Sequence, residues 1–280
     1  MATQGCHLSS EWNMLDAAPA YSAFAGILAG FLFLAVITLM TERRSVGAQA
    51  KTVNRSRPLM LFLPALLCLM VSSFLFGEVS GDQVCARGYV GGIFASSVLG
   101  IGALAGFTGI VWMLEAHGES DESLKHTTII FIYVSYLVVI ASLLVGCIDL
   151  TNSAFHNKPP VYAIAPLVAY GPGLLISVAV TRKWFMPNES SSSRAQVVAV
   201  YVPYAYVVIT IITLGLLNSF HPAEWRSIDD WKVYLTLGLA LLFPALSVIT
   251  CTRTLPGVHH KASEPASLHP PREPLPKRVN

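Results

Sequence analysis

No Asp, Glu, Lys, Arg or His interrupts the interior of seven apolar blocks in this 280-residue chain, at about 20–40, 58–77, 88–114, 127–148, 161–181, 196–217 and 233–251. Charge is scarce everywhere: 12% of residues, against about 25% in a soluble domain. So little polar side chain leaves a soluble surface uncovered, and lipid must cover it instead. A further absence concerns mechanism. With no lysine in mid-block there is no seat for a retinal Schiff base, and with no acidic pair there is no relay for protons through the bilayer. With no histidine pair there is no haem or metal ligand set at membrane depth. An ionisable group inside a membrane helix is the usual mark of function, because it is costly to keep there. Nucleotide and nucleophile motifs are missing as well: there is no Walker loop and no Gly-x-Ser-x-Gly.

What is present is hydrophobic length. The chain is 54% hydrophobic with a mean hydropathy of +0.58. About 20 apolar residues at 1.5 Å rise cross the ~30 Å hydrocarbon core as a helix. The sequence therefore predicts an all-α, polytopic integral membrane protein with seven transmembrane helices. Residues 1–19 read as a translocated tail, 20–252 as the membrane domain, and 253–280, with little apolar content, as a disordered Pro-rich cytoplasmic tail. The first block lacks the basic flank of a cleaved signal, since residues 1–19 hold Glu11 and Asp16 but no Lys or Arg.

Charge in the connections orients the bundle. With the N-terminus outside and the C-terminus in the cytoplasm, only Arg87, Lys158, Arg226 and Lys232 of the 18 basic residues stay outside. Acidic residues barely count in that rule, and basic residues on the cytoplasmic side set orientation. The expected location is the plasma membrane. The basic inner face flanks helices and is no nucleic-acid signal. The expected partners are the lipid bilayer and other membrane proteins, or a second copy of the chain. Nothing in the pattern calls for a cofactor or a metal.

Five cysteines sort by depth. Cys68 and Cys251 read as small buried hydrophobes. Cys6, Cys85 and Cys147 fall on the outer side, where a Cys6–Cys85 bond, a Cys85–Cys147 bond or three free thiols are the alternatives, with Cys6–Cys85 preferred.

Three features suggest where function resides. Glu78, Asp82, Asp149, His221 and Glu224 belong to an acidic outer rim, in which His221 and Glu224 have the i, i+3 spacing of a metal pair but read more simply as solvated loop residues. In the fifth block Pro166 and Tyr170-Gly171-Pro172-Gly173 interrupt the apolar run. Pro172 frees the carbonyl of Val168, and in the seventh block Pro244 frees that of Ala240. The sixth block carries Tyr206, Thr210 and Thr213 on one helical stripe. Together these frame a neutral cavity between helices five, six and seven, or else simply kink packed helices and bond neighbouring backbone. In the third block the small residues around Gly102-x-x-x-Gly106 allow close helix approach, as a central helix or as a homodimer seam. The functional expectation is a non-catalytic accessory, sensor or assembly protein. The alternative is a carrier of a neutral or lipid-like molecule through the helix 5–7 cavity, and an embedded enzyme ranks third.

Overall fold

Prolines sit inside five of the helices without stopping any of them, because in a bilayer only a continuous helix satisfies the backbone. That statement covers α1 (Met14–Ser45), α2 (Ser56–Ser80), α5 (Val161–Trp184), α6 (Glu189–Asn218) and α7 (Asp230–Thr254), five helices holding six such prolines. The other two, α3 (Cys85–Ala116) and α4 (Asp121–Ala154), are proline-free. The computed structural model describes residues 14–45, 56–82, 84–116, 121–155, 161–184, 189–221, 225 and 229–255, and no strand occurs among the described residues.

Five helices are long and apolar enough to span a bilayer: Met14–Thr41, Pro58–Ser80, Cys85–Glu115, Ala195–Asn218 and Asp230–Thr254. The chain is a helical multi-pass membrane protein. In α4 and α5 the described apolar stretches are shorter, Leu143–Asn152 and Ile164–Val180.

The helices overrun the apolar blocks. α1 begins at Met14, so the last six residues expected in the N-terminal tail are helical. Asp16 in the first turn meets the positive end of the helix dipole. α7 runs to Thr254, past the expected end of the membrane domain at 252. Residues 1–13 and 256–280, on which the remaining tail expectations fall, lie outside the described residues.

α3 is the axis of the bundle. It packs most extensively on α2 and also touches α1, α4, α6 and α7, while α5 packs only on α4 and α7 to any extent. Its small residues make this possible. A Cβ added at Gly102 would lie 2.8 Å from Cys68 Cβ and 3.3 Å from the Ala65 carbonyl, and one at Gly109 would lie 2.6 Å from the Phe62 ring, so α2 rests directly on the α3 backbone. Gly106 is roomier, with Ala65 Cβ at 3.8 Å. The Gly102 face is thus filled from within the same chain.

Hydroxyls donated to carbonyls tie the helices laterally. Ser22 and Ser73 exchange bonds between α1 and α2 at 2.8 and 2.9 Å, and Ser72 donates to the Ala95 carbonyl at 2.9 Å. Ser97 donates to Ala240 at 3.2 Å, which is the carbonyl that Pro244 frees. Trp112 Nε1 donates to Thr254 at 3.1 Å and anchors the end of α7 on α3. Such bonds contribute about 0.6–2 kcal/mol each in a membrane. The starts of α1, α3, α5 and α7 and the ends of α2, α4 and α6 share one end of the bundle, termed the near end below.

Candidate functional site

The α2–α3 connection is four residues long, and its geometry is set by one carboxylate. Gly81 and Asp82 donate their N–H groups back to the carbonyls of Glu78 and Val79, at 3.1 and 3.2 Å, which closes the end of α2. Asp82 then accepts from the Val84 N–H at 3.0 Å, the local side-chain-to-backbone bond that favours Asp in turns. Arg87, on the first turns of α3, donates Nε and Nη2 to the same carboxylate at 2.7 and 2.9 Å. This is a bidentate pair, stronger and more directional than a single contact. It uses two of the five guanidinium N–H groups. The arginine side chain stays 29% exposed, so the rest of its edge is reachable.

This pair lines a cavity of about 410 Å³ between the end of α2, the start of α3 and the end of α6. Glu78, Asp82, Arg87 and Asn218 supply its polar wall, and Leu75, Val79 and Leu214 its apolar wall. Asp82 is committed to Arg87. The Glu78 carboxylate is exposed and has no ion pair among the described residues. The charged lining therefore sums to a single negative charge, held by Glu78.

Of the rim residues expected from sequence, Glu78 and Asp82 come together here. Asp149 is half-buried on α4 and does not line the cavity, His221 is exposed beyond the end of α6, and Glu224 lies outside the described residues. Arg87 was visible only as one of four basic residues on the outer side. The signal for its role is a carboxylate five positions earlier, directly after the glycine that follows α2.

The helix 5–7 residues divide differently from expectation. α5 is continuous through Gly171-Pro172-Gly173, with Pro172 and Gly173 exposed on its outer surface. The buried Gly171 offers its carbonyl to the Tyr136 hydroxyl, and the Tyr170 hydroxyl donates to the Leu241 carbonyl at 2.9 Å. α5 stays helical through both of its prolines, and these two hydroxyls tie it to α4 and α7. Tyr206, Thr210, Thr213 and Pro244 are all buried, and Tyr206 stacks on Phe243 at 4.9 Å. Ser97 and Thr210 are the polar neighbours of the Tyr206 hydroxyl, yet neither it nor Thr210 Oγ1 closes a well-formed hydrogen bond. This polar cluster belongs to α3, α6 and α7, because α5 and α6 barely meet. A buried hydroxyl without a partner is costly, so Tyr206→Phe is expected to leave thermal stability unchanged or raise it by up to about 1 kcal/mol. A loss of more than that in a detergent melt would mean that the hydroxyl is bonded.

A second charged group at the near end escaped the sequence reading. Lys232, expected on the outer side ahead of the seventh apolar block, has a side chain that is only 2% exposed. Its ammonium lies 3.1 Å from Asp229 and 4.7, 5.3 and 5.8 Å from the ring centres of Phe220, Trp225 and Trp231. Three aromatics within twelve positions of one lysine were the available signal.

Cys85 is disulfide-bonded, whereas Cys68, Cys147 and Cys251 are free and buried. The Cys85–Cys147 alternative is therefore not the bond formed, and Cys6, the other expected partner, lies outside the described residues.

No family model, no curated protein and no solved structure matches the chain.

Proposed function

We propose that this protein is a seven-span plasma-membrane protein with its N-terminus outside and its C-terminus in the cytoplasm, acting as a non-catalytic sensor or accessory subunit through the cavity at the near end. The observation that carries the reading is the convergence of Glu78, Asp82, Arg87 and Asn218 on one open cavity at the level where helices leave the hydrocarbon. A binding function needs such a place; a purely structural bundle does not.

Three observations support the topology. α4 and α5 have 34 and 24 residues, about 51 and 36 Å of helix, enough to cross a ~30 Å core. Their apolar blocks at 127–148 and 161–181 hold no charge. The oxidised Cys85 supports an oxidising compartment at the near end, in accord with the basic bias of the opposite face.

Single cysteines test this in intact cells with a membrane-impermeant maleimide. Asn218→Cys, exposed at the near end, should label from outside. Arg253→Cys, exposed at the other end, should label only after permeabilisation. The reverse pattern removes both the topology and the outward-facing site.

The carrier reading is favoured by a different observation, the hydroxyls of Tyr206 and Thr210, buried with no hydrogen-bond partner among the described residues. On that reading a neutral ligand would hydrogen-bond them between α3, α6 and α7. Tyr206→Phe would then abolish transport while leaving the melt untouched.

A further inference from the structure

From the chemistry of this cavity we propose a ligand class: the headgroup of a zwitterionic phospholipid bearing a primary ammonium. The inference rests on the outward-facing site proposed above and specifies what occupies it. Its first support is charge. Glu78 presents an exposed carboxylate with no ion pair among the described residues, while the part of the Arg87 guanidinium not used by Asp82 remains reachable, so one wall offers an acceptor for a cation and the other donors for an anion. A phosphate linked to an ammonium carries that pair of charges on one short group. Guanidinium is the protein group best suited to phosphate oxygens, and an ammonium with N–H donors forms charge-assisted bonds to a carboxylate.

Depth is the second support. α2 ends at Ser80, α3 begins at Cys85 and α6 ends at Asn218, so the cavity opens where membrane helices pass into the headgroup layer. Third, the mostly buried Leu75, Val79 and Leu214 give the cavity an apolar edge beside its charges, against which the first carbons of an acyl chain can rest. The volume of about 410 Å³ lies in the range of small-molecule sites. Asp82 acts as a positioning residue here, since it aims the guanidinium and does not touch the ligand.

The site makes Glu78 the discriminating residue. A quaternary ammonium headgroup has no N–H to donate, and an anionic headgroup repels the carboxylate. The experiment uses the purified full chain in detergent, with short-chain phosphatidylethanolamine, phosphatidylcholine and phosphatidylglycerol and free phosphoethanolamine as probes, read by native mass spectrometry and by thermal shift. Phosphatidylethanolamine is expected to bind most tightly, and Glu78→Gln to weaken it about tenfold or more, the loss of one charge-assisted bond, while the unliganded melt stays at the wild-type temperature. Equal retention of the three lipids, or an unchanged affinity in Glu78→Gln, overturns the proposal. Free phosphoethanolamine binding as tightly as the lipid also overturns it, in favour of a soluble amine phosphate. If Asn218→Cys labels from outside and the lipids are not distinguished, this inference fails and the outward-facing site survives; reversed labelling removes that site first.

Discussion

Gly102→Leu is expected to leave little folded protein. The first added carbon would stand 2.8 Å from Cys68 Cβ and 3.3 Å from the Ala65 carbonyl, and both belong to the backbone-proximal surface of α2, which cannot turn aside as a long side chain can. α2 and α3 would have to separate along the most extensive interface of the bundle. Overpacking of this kind costs about 1–3 kcal/mol, and more when the obstruction is main chain. A leucine adds three further carbons to the clash, so the cost falls at the upper end, roughly 3 kcal/mol or above. That is a large share of the ~5–15 kcal/mol that holds a protein together. The measurement is size-exclusion recovery with a melting curve in detergent. Gly106→Ala is the matched control, one turn away with 3.8 Å to its neighbour, and should shift stability by less than about 0.5 kcal/mol. If both variants behave alike, α2 does not lie on α3 as described. Because the obstruction is internal to one chain, the loss should appear as missing folded protein and not as dissociation into folded monomers.

Reversing the charge at position 232 is expected to have the second large effect. The Lys232 ammonium sits among three rings, and aromatic faces carry negative potential. A desolvated cation in such a setting gains about 2 kcal/mol or more. Lys232→Glu loses that term, sets an anion against the ring faces and adds repulsion from Asp229, which now lies 3.1 Å from the ammonium. A total loss of ~4 kcal/mol or more is expected from these terms together. Lys232→Met keeps most of the buried stem and should cost about 2 kcal/mol, the cation–ring share alone. Trp225 and Trp231 provide the readout: their emission should shift to the red in Lys232→Glu as the cage opens to water. Unchanged emission and melting in that variant would mean that the lysine is solvated.

These two sites also mark the limit of what residues alone reveal. Block boundaries follow from hydropathy, and each of the seven blocks lies within a helix. The ends do not follow, because a helix continues into the interface where polar residues no longer oppose it; α4 runs from Asp121 to Ala154 around a block read as 127–148. The freed Ala240 carbonyl was legible from Pro244, but its donor Ser97, 143 positions away, was not. The Gly171-Pro172-Gly173 run suggests an interruption that the continuous α5 does not show, and the bonds by which Tyr136 and Tyr170 tie α5 to α4 and α7 follow from no local rule. Of the candidate site, sequence supplied Glu78 and Asp82 as acidic rim residues. It gave no reason to set Asn218 of α6 beside them, because that proximity is a property of packing. The burial of Lys232 is not legible for a similar reason: sequence places it ahead of the seventh block but not among the rings of Phe220, Trp225 and Trp231.

The bond from Trp112 Nε1 to the Thr254 carbonyl fixes where the chain departs from the bundle. Trp112 is buried and belongs to the axial helix, so this last carbonyl of α7 is held against the helix that touches the most others. A reporter fused beyond Leu255 is therefore attached at a point bonded to the axis of the bundle. Its distance to a second label on α3 would stay constant while more peripheral helices moved, which makes that pair the natural internal ruler for measuring displacement of α5 or of the near-end connections by energy transfer.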